Sequence, residues 1–329
     1  MFENKRILIT GGTGSWGQEL TRNLLQHRPK EIRIFSRNEF AQVTMERNFG
    51  HSPLLNFIIG DVRDRDAVDQ ACRGMDYVFH LAALKHVPIC ETQPDEALKT
   101  NVLGTENIIQ ASIRHEVKKV IDVSTDKAVD PINFYGMTKA FGEKLMIRAN
   151  DLSSATRFVC IRGGNVLGTN GSVVPYFKKQ IAEGREITLT SMDMTRFFLT
   201  IPEAIGLLIK AAIDAIGGET FVMKMNTCRI VHLAEVLIRC LADKPVSIKE
   251  VGIRLGEKLH EVLVSANEAP RTYRYSDQYY VILPSHPSSV LTQRYASFEK
   301  ADFQTYSSVS DPMSHEEIEA LLRRGRMLP

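Results

Sequence analysis

Three features are missing from this chain of 329 residues: metal-ligand spacing, a disulfide framework and a membrane span. Its five cysteines, Cys72, Cys90, Cys160, Cys228 and Cys240, form no CxxC and no paired metal pattern. Their odd number argues against complete internal pairing, so they are expected to be reduced and mostly buried, and no metal is expected. No apolar run approaches the ~20 residues needed to cross a bilayer and no signal precedes the first strand, so the expectation is a cytoplasmic protein without a membrane partner. One-sided charge is absent too. Lys and Arg number 41 against 39 Asp and Glu, a net +2 with both signs interspersed, which excludes a nucleic-acid footprint. There is no internal repeat and no low-complexity tract. What is present is ordinary globular usage, 43% hydrophobic and 24% charged, in a chain long for one domain and comfortable for two.

The first apolar run, Arg6-Ile7-Leu8-Ile9-Thr10, reads as a buried parallel strand. It leads directly into Gly11-Gly12-Thr13-Gly14-Ser15-Trp16-Gly17, then an amphipathic run from Gln18 to Gln26. Glycines at 11, 14 and 17 let the turn close, let backbone approach a pyrophosphate and let helix pack on strand. A strand before and a helix after give the glycine pattern its meaning as a dinucleotide site. A second strand, Glu31 to Phe35, ends at Ser36-Arg37, about twenty residues past the last glycine. An acid here would hold the ribose hydroxyl of NAD. A hydroxyl and a guanidinium suit the 2′-phosphate of NADP, which is the cofactor expected; a solvated surface Arg37 is the alternative.

Strands recur with helices between them. Asn56–Ile59 leads to Gly60-Asp61-Val62, Tyr77–Leu81 to Ala82-Ala83, Lys119–Val123 to Ser124-Thr125, and Phe158–Ile161 to Arg162-Gly163-Gly164-Asn165. This alternation predicts an α/β fold, a Rossmann-type doubly wound parallel sheet that binds ligands at its strand ends, where Gly11, Asp61, Ala82, Thr125 and Asn165 lie. Val62, Ala83, Lys85 and Asn101 join the expected cofactor contacts, and Lys85 also stands within reach of a substrate. Helices are expected over 97–115, 135–150, 202–215, 231–241 and 315–324. The division expected is a dinucleotide-binding domain over 1–162 with a return segment about 196–219, and a smaller α/β substrate-binding unit over 163–195 and 220–329.

The densest chemistry lies in Ser124-Thr125-Asp126-Lys127, with Tyr135-Gly136-Met137-Thr138-Lys139 eight residues later. A hydroxyl, a carboxylate, an ammonium, a phenol and a second ammonium exceed what hydride transfer needs. Asp126 and Lys127 are left over for a second proton-moving step, which points to a dehydratase. Their bland alternative is a solvated ion pair in a loop.

With these residues in hand the chain resembles the extended short-chain dehydrogenase/reductases that modify nucleotide sugars. Thr125-Asp126-Lys127, Pro131 to Gly136, Thr195-Arg196-Phe197 and Gly256-Glu257-Lys258-Leu259-His260-Glu261 are similar to the C-5-inverting UDP-N-acetylglucosamine 4,6-dehydratases of surface-polysaccharide biosynthesis, from about residue 3 to about 285. The resemblance implies that Tyr135, supported by Lys139 and Thr125, takes the C-4 hydroxyl proton, that Lys127 takes the C-5 proton and that Asp126 protonates the C-6 hydroxyl. For these roles the pKa values of Lys127 and Tyr135 are expected to be depressed. It also implies that Asn165, Arg196, Arg254 and Glu257 bind the UDP portion, that NADP is recycled each turnover, and that the chain is a homo-oligomer, a dimer or higher, with helices 97–115 and 135–150 at the dimer face. A 4-epimerase or 5,6-dehydratase of the same superfamily would share Thr125, Tyr135 and Lys139, and a non-catalytic scaffold is the remaining alternative. Two departures stand out: Leu255 where the family commonly has Pro, and Trp16 where it has Phe. The tail after about 285 is open between a latch, an oligomer contact and a surface appendage.

Overall fold

The computed structural model describes residues 1–169 and 172–328. Its six N-terminal strands are β1 (Arg6–Thr10), β2 (Glu31–Ser36), β3 (Leu55–Ile59), β4 (Tyr77–His80), β5 (Lys119–Thr125) and β6 (Arg157–Gly163), all paired in parallel. The sheet has nine strands in the order Thr272–Arg274, Tyr279–Ile282, Thr220–Met223, β6, β5, β4, β1, β2, β3. The chain runs outward from β1 to β3, then returns to β4 on the other side of β1. That reversal opens a crevice above the ends of β1 and β4, where a doubly wound sheet binds its ligand.

The apolar runs are continuous because both faces are covered. In β1, Ile7 and Ile9 join a core with Leu20 and Leu24 of helix Ser15–Leu25 and Leu208 of helix Ile201–Asp214. Leu8, pointing the other way, joins Val68, Ile108 and Met146 from helices Arg65–Cys72, Gly104–Arg114 and Phe134–Ala149. Each such side chain, once fully buried, stabilises the fold by about 1.5–3 kcal/mol. A separate core holds Val174, Phe177, Leu233, Leu237, Leu321 and Leu322.

Three features differ from the sequence reading. Thr220–Met223 pairs in parallel with β6, and a hairpin of Thr272–Arg274 and Tyr279–Ile282 extends the sheet beyond it, so parts of 220–329 belong to the central sheet. Their β-branched and aromatic residues complete its far edge. The helix expected over 97–115 is three pieces, Pro94–Leu98, a wider π turn at Lys99–Leu103, and Gly104–Arg114. The turn buries Asn101, whose side chain bonds Leu84 N at 2.8 Å, Leu84 O at 2.9 Å and Thr138 Oγ1 at 3.0 Å. The tail is no appendage: Tyr306–Ser307 pairs with Val262–Val264, and helix His315–Arg324 sends Ile318, Leu321 and Leu322 into the second core.

Candidate active site

A cleft of about 1140 Å³ opens over the strand ends. Gly11, Thr13, Gly14, Ser15, Trp16, Gly17, Ser36, Arg37, Asp61, Val62, Ala82, Ala83 and Lys85 line its one half; Thr125, Lys127, Tyr135, Lys139, Asn165, Arg196, Arg254 and Glu257 line part of the other, completed by residues such as Val173, Tyr176, Phe177 and Leu189 that the sequence did not single out. Of the residues singled out by sequence, Asn101 and Asp126 are not on the wall. Asn101 serves the wall from behind by holding Leu84, whereas Asp126 lies fully buried directly below Thr125.

The first half fits a dinucleotide. Helix Ser15–Leu25 starts at Gly14 without a side-chain cap and without an acid in its first turn, leaving its amides and dipole for an anion. A Cβ on Gly17 would lie 2.3 Å from Gly12 O, so only glycine lets helix and turn approach this closely. At the end of β2, Gln42 Nε2 donates to Ser36 Oγ at 3.0 Å and to Ile58 O at 2.7 Å. Arg37 lies 3.7 Å from Asp61, which Arg63 also grips; burial opposes the charge on Asp61, but these guanidiniums outweigh it and lower its pKa.

Reacting groups come from two elements brought against each other. Thr125 ends β5, and its hydroxyl donates to Asp126 Oδ1 at 2.9 Å. Lys127 Nζ donates to the same oxygen at 3.0 Å, while Asp126 Oδ2 is buried without a hydrogen-bond partner among the described residues. Helix Phe134–Ala149 begins at Asn133, whose Oδ1 accepts from Gly136 N at 2.7 Å and whose Nδ2 donates to Gly256 O at 2.8 Å. A Cβ on Gly136 would lie 2.1 Å from Lys127 O, so the glycine is what lets the helix start touch the Asp126–Lys127 turn. The four-residue spacing then sets Tyr135 and Lys139 on one helix face.

Electrostatics correct two expectations. Lys127 is held above the ordinary lysine range: burial works against its charge, but the carboxylates of Asp126 and of Glu261, 3.5 Å away, overcome it. Tyr135 is raised rather than lowered, because burial outweighs Lys139, Lys127 and the Thr125 hydrogen bond. Lys139 sits 3.3 Å from buried Asp122 and its pKa is raised, the carboxylate overriding burial. Lys85 is lowered by burial and by Lys127.

Sequence reasoning missed Asp122, Glu261 and Ser308. Asp122 had a signal, a carboxylate in the middle of an apolar strand, which demands a buried partner. Glu261 lay inside a recognised motif but with no assigned role. Ser308 had no local signal, because it reaches its partners through the fold. Arg196, expected to bind the UDP portion, lies on the cleft wall with its guanidinium already engaged, donating to Thr195 O at 2.7 Å, Leu259 O at 3.1 Å and Lys258 O at 2.9 Å. Arg254 lies on the cleft wall with Leu255 exposed beside it and Gly256 at φ +76°, the turn that Pro commonly precedes in the family.

A dinucleotide crevice joined to a hydroxyl, phenol, carboxylate and two ammoniums defines a nucleotide-binding oxidoreductase-type site with extra acid–base groups. The chain belongs to the polysaccharide biosynthesis protein family, which it matches over residues 7–283. It is 44% identical, over 87% of its length and 84% of the relative's, to the UDP-N-acetylglucosamine 4,6-dehydratase (inverting) of Campylobacter jejuni subsp. jejuni serotype O:2. It is also 45% identical to a UDP-glucose 4-epimerase of Rickettsia rickettsii, with 85% and 83% covered. The solved structure of Pen from Bacillus thuringiensis superposes with a TM-score of 0.92 at 38% identity, covering 100% of this chain and 99% of that one. DesIV, a dTDP-glucose 4,6-dehydratase from Streptomyces venezuelae solved with NAD and TYD bound, shares the fold at a TM-score of 0.73 and 20% identity, with 98% and 97% covered.

Proposed function

We propose that the chain is a UDP-N-acetylglucosamine 4,6-dehydratase, a hydro-lyase giving UDP-2-acetamido-2,6-dideoxy-hexos-4-ulose with inversion at C-5. The observation that carries the reading is the buried Asp126–Lys127 pair beside Thr125 and Tyr135. An epimerase needs to move a proton only at the C-4 hydroxyl, and this site holds a further acid and base. The dehydratase named among the relatives supports it.

A nicotinamide dinucleotide held by the Gly11–Gly17 turn, Ser36 and Arg37 would supply a hydride acceptor for C-4 and, once reduced, a hydride donor for C-6. With the positive charge of an oxidised nicotinamide added to that of Lys139, Tyr135 would ionise despite its burial and take the proton of the C-4 hydroxyl, which Thr125 hydrogen-bonds. The new ketone acidifies C-5. Lys127 Nζ then takes the C-5 proton, the C–H pair forms the C-5/C-6 double bond, and Asp126 gives its proton to the departing C-6 hydroxyl as water. When hydride reaches C-6, a solvent-derived proton adds to C-5 on the face opposite Lys127, which inverts that centre. Acid and base arise together when one proton crosses the 3.0 Å from Lys127 Nζ to Asp126, with none taken from solvent. Resting Lys127 therefore carries its proton, and the shift to the working state belongs to the closed, water-excluding site.

Ser36 and Arg37 favour NADP, whose 2′-phosphate takes a hydroxyl and a guanidinium; NAD, as in the DesIV structure, is the alternative. Asn165, Arg254 and Glu257 contact the UDP portion, and Arg196 holds the loop that carries Arg254 and Glu257. The unit built around the second core closes over the sugar. Exposed Leu103, Ile132 and Phe141, each more than half exposed, lie on or beside helices Gly104–Arg114 and Phe134–Ala149 and form the face for a second copy of this chain. Light scattering of the purified protein is expected to read a dimer or higher, and a monomer at micromolar concentration would contradict that face.

Turnover of UDP-N-acetylglucosamine tests the reading, with Lys127→Met alongside. A product lighter by one water, made by the native chain and reduced at least about a hundredfold in Lys127→Met, supports the dehydratase. Unchanged mass with inversion at C-4, persisting in the variant, means a 4-epimerase. The nucleotide released from the native protein by acid identifies NADP or NAD.

A further inference from the structure

Glu261 takes no part in the proton transfers described above, yet it is one of the most buried carboxylates in the molecule, 2% exposed. Its Oε1 lies 3.5 Å from Lys127 Nζ and 3.7 Å from Arg196 Nε. Its Oε2 is buried without a hydrogen-bond partner among the described residues. A buried charge with one oxygen unbonded is costly, and such a group persists where a neighbouring cation or a reaction step requires it.

The backbone of Glu261 is held more firmly than its side chain. Ser308 N donates to Glu261 O at 2.8 Å, and Glu261 N donates to Ser308 Oγ at 2.9 Å. The Ser308 hydroxyl also meets Thr195 Oγ1 at 2.7 Å and Thr195 O at 3.2 Å, and Thr195 Oγ1 meets His260 Nδ1 at 2.8 Å. The C-terminal tail thus fixes the residue that precedes Arg196 and the residue that faces Lys127 through one fully buried hydroxyl.

We propose that Glu261 is a positioning residue for the C-5 proton transfer, its carboxylate anchoring the Lys127 ammonium and tying it to Arg196 and the substrate loop. The inference rests on the dehydratase reading. When Lys127 Nζ takes the C-5 proton it becomes cationic, and a fixed carboxylate beside it stabilises the charge that develops. The same carboxylate makes Lys127 a stronger base. The charged and titratable groups around it are Asp126, which pairs with Lys127, Arg196 from Thr195–Leu199, and Glu257, Lys258 and His260 on its own loop; Lys258 also feels Glu261 directly.

The experiment compares Glu261→Gln and Glu261→Asp in the full chain by pH–rate profile and by thermal denaturation. In Glu261→Gln, kcat is expected to fall about ten- to a hundredfold with KM within about threefold, and the rising limb that reports neutral Lys127 moves to lower pH by about one unit. Glu261→Asp keeps a carboxylate and is expected to keep the native limb. A Glu261→Gln protein with kcat within twofold and an unmoved limb would overturn the proposal. So would equal losses in both variants without a limb shift, the mark of a merely structural role. Should Glu261→Gln not fold, the ¹⁵Nζ resonance of Lys127, assigned by its loss in Lys127→Met, carries the test through its titration in the native protein and in Glu261→Ala. A lower midpoint in Glu261→Ala supports the anchor, and an unmoved midpoint, with Asp126 alone raising it, overturns it. A native protein that does not dehydrate UDP-N-acetylglucosamine sinks the dehydratase reading alone, since the resonance still reports on Glu261.

Discussion

Single residues in this site are controlled by what is buried beside them. Asp126 and Lys127 are adjacent in sequence, and their alternatives, catalytic pair or solvated ion pair, were separable only by burial. The fold places Asp126 wholly out of water and Lys127 on the cleft wall, which rules out the solvated pair. The sign of the lysine shift was not legible, because it turns on Asp126 and Glu261 together outweighing burial, and Glu261 approaches from 134 positions away in the chain. His80 shows the same control away from the chemistry. It ends β4, bonds Thr10 Oγ1 at 2.8 Å and Thr105 Oγ1 at 3.2 Å, and is held neutral by burial and by Lys139, its pKa pushed down to about 3. Its folded pKa lies below its unfolded value near 6.5, so the unfolded chain takes the proton first. Stability present above that value is lost as pH falls from about 6.5 toward 3. The urea midpoint is expected to drop in that window, by about 2 kcal/mol of stability at pH 5, and the part due to His80 to vanish in His80→Asn. A midpoint flat between pH 6.5 and 5 would contradict this.

At the scale of elements, β1 was read residue for residue, since both of its faces are buried and its apolar run is unbroken. The helix carrying Tyr135 and Lys139 was also legible, because a cap, a glycine and a four-residue spacing are local. The interrupted helix at 94–114 was not, because its π turn is imposed by Asn101 reaching Leu84 and Thr138. The strands at 220–223 and 272–282 were missed for a related reason: they are short, and their partners lie far away in sequence. The tail strand Tyr306–Ser307 is the clearest case. Ser308→Ala removes a buried hydroxyl that serves Glu261 N and Thr195, and is expected to cost about 1–3 kcal/mol in denaturant unfolding. Turnover is expected to fall with it as Glu261 and Arg196 loosen. A variant as stable and as active as the native chain would show that the tail does not support the site.

For the whole molecule, function follows from joining two cores. The central sheet supplies the dinucleotide crevice and Thr125, Tyr135 and Lys139; the second core supplies the loop from Arg254 to Glu261 that covers them. Arg196 and Asn133 fasten the two, one through backbone carbonyls of 258–259 and the other through Gly256 O. Among the described residues no helix is long and apolar enough to cross a membrane. Sequence alone located the crevice and the part of the cleft wall built from turns at strand ends, but not the wall over 173–190, which belongs to the second core. It could not show that Arg196 is engaged with the backbone of Lys258 and Leu259, because that depends on how the loop from Arg254 to Glu261 docks.

The central claim is elimination of water across C-5 and C-6 with inversion, and the most direct measurement is turnover of UDP-N-acetylglucosamine in deuterated water, followed by mass and proton NMR. Loss of one water, a 4-keto-6-deoxy sugar, solvent deuterium at C-5 and coupling constants of the inverted ring are expected. An unchanged sugar mass with UDP-N-acetylgalactosamine accumulating would contradict it and make Asp126 and Lys127 bystanders to an epimerase.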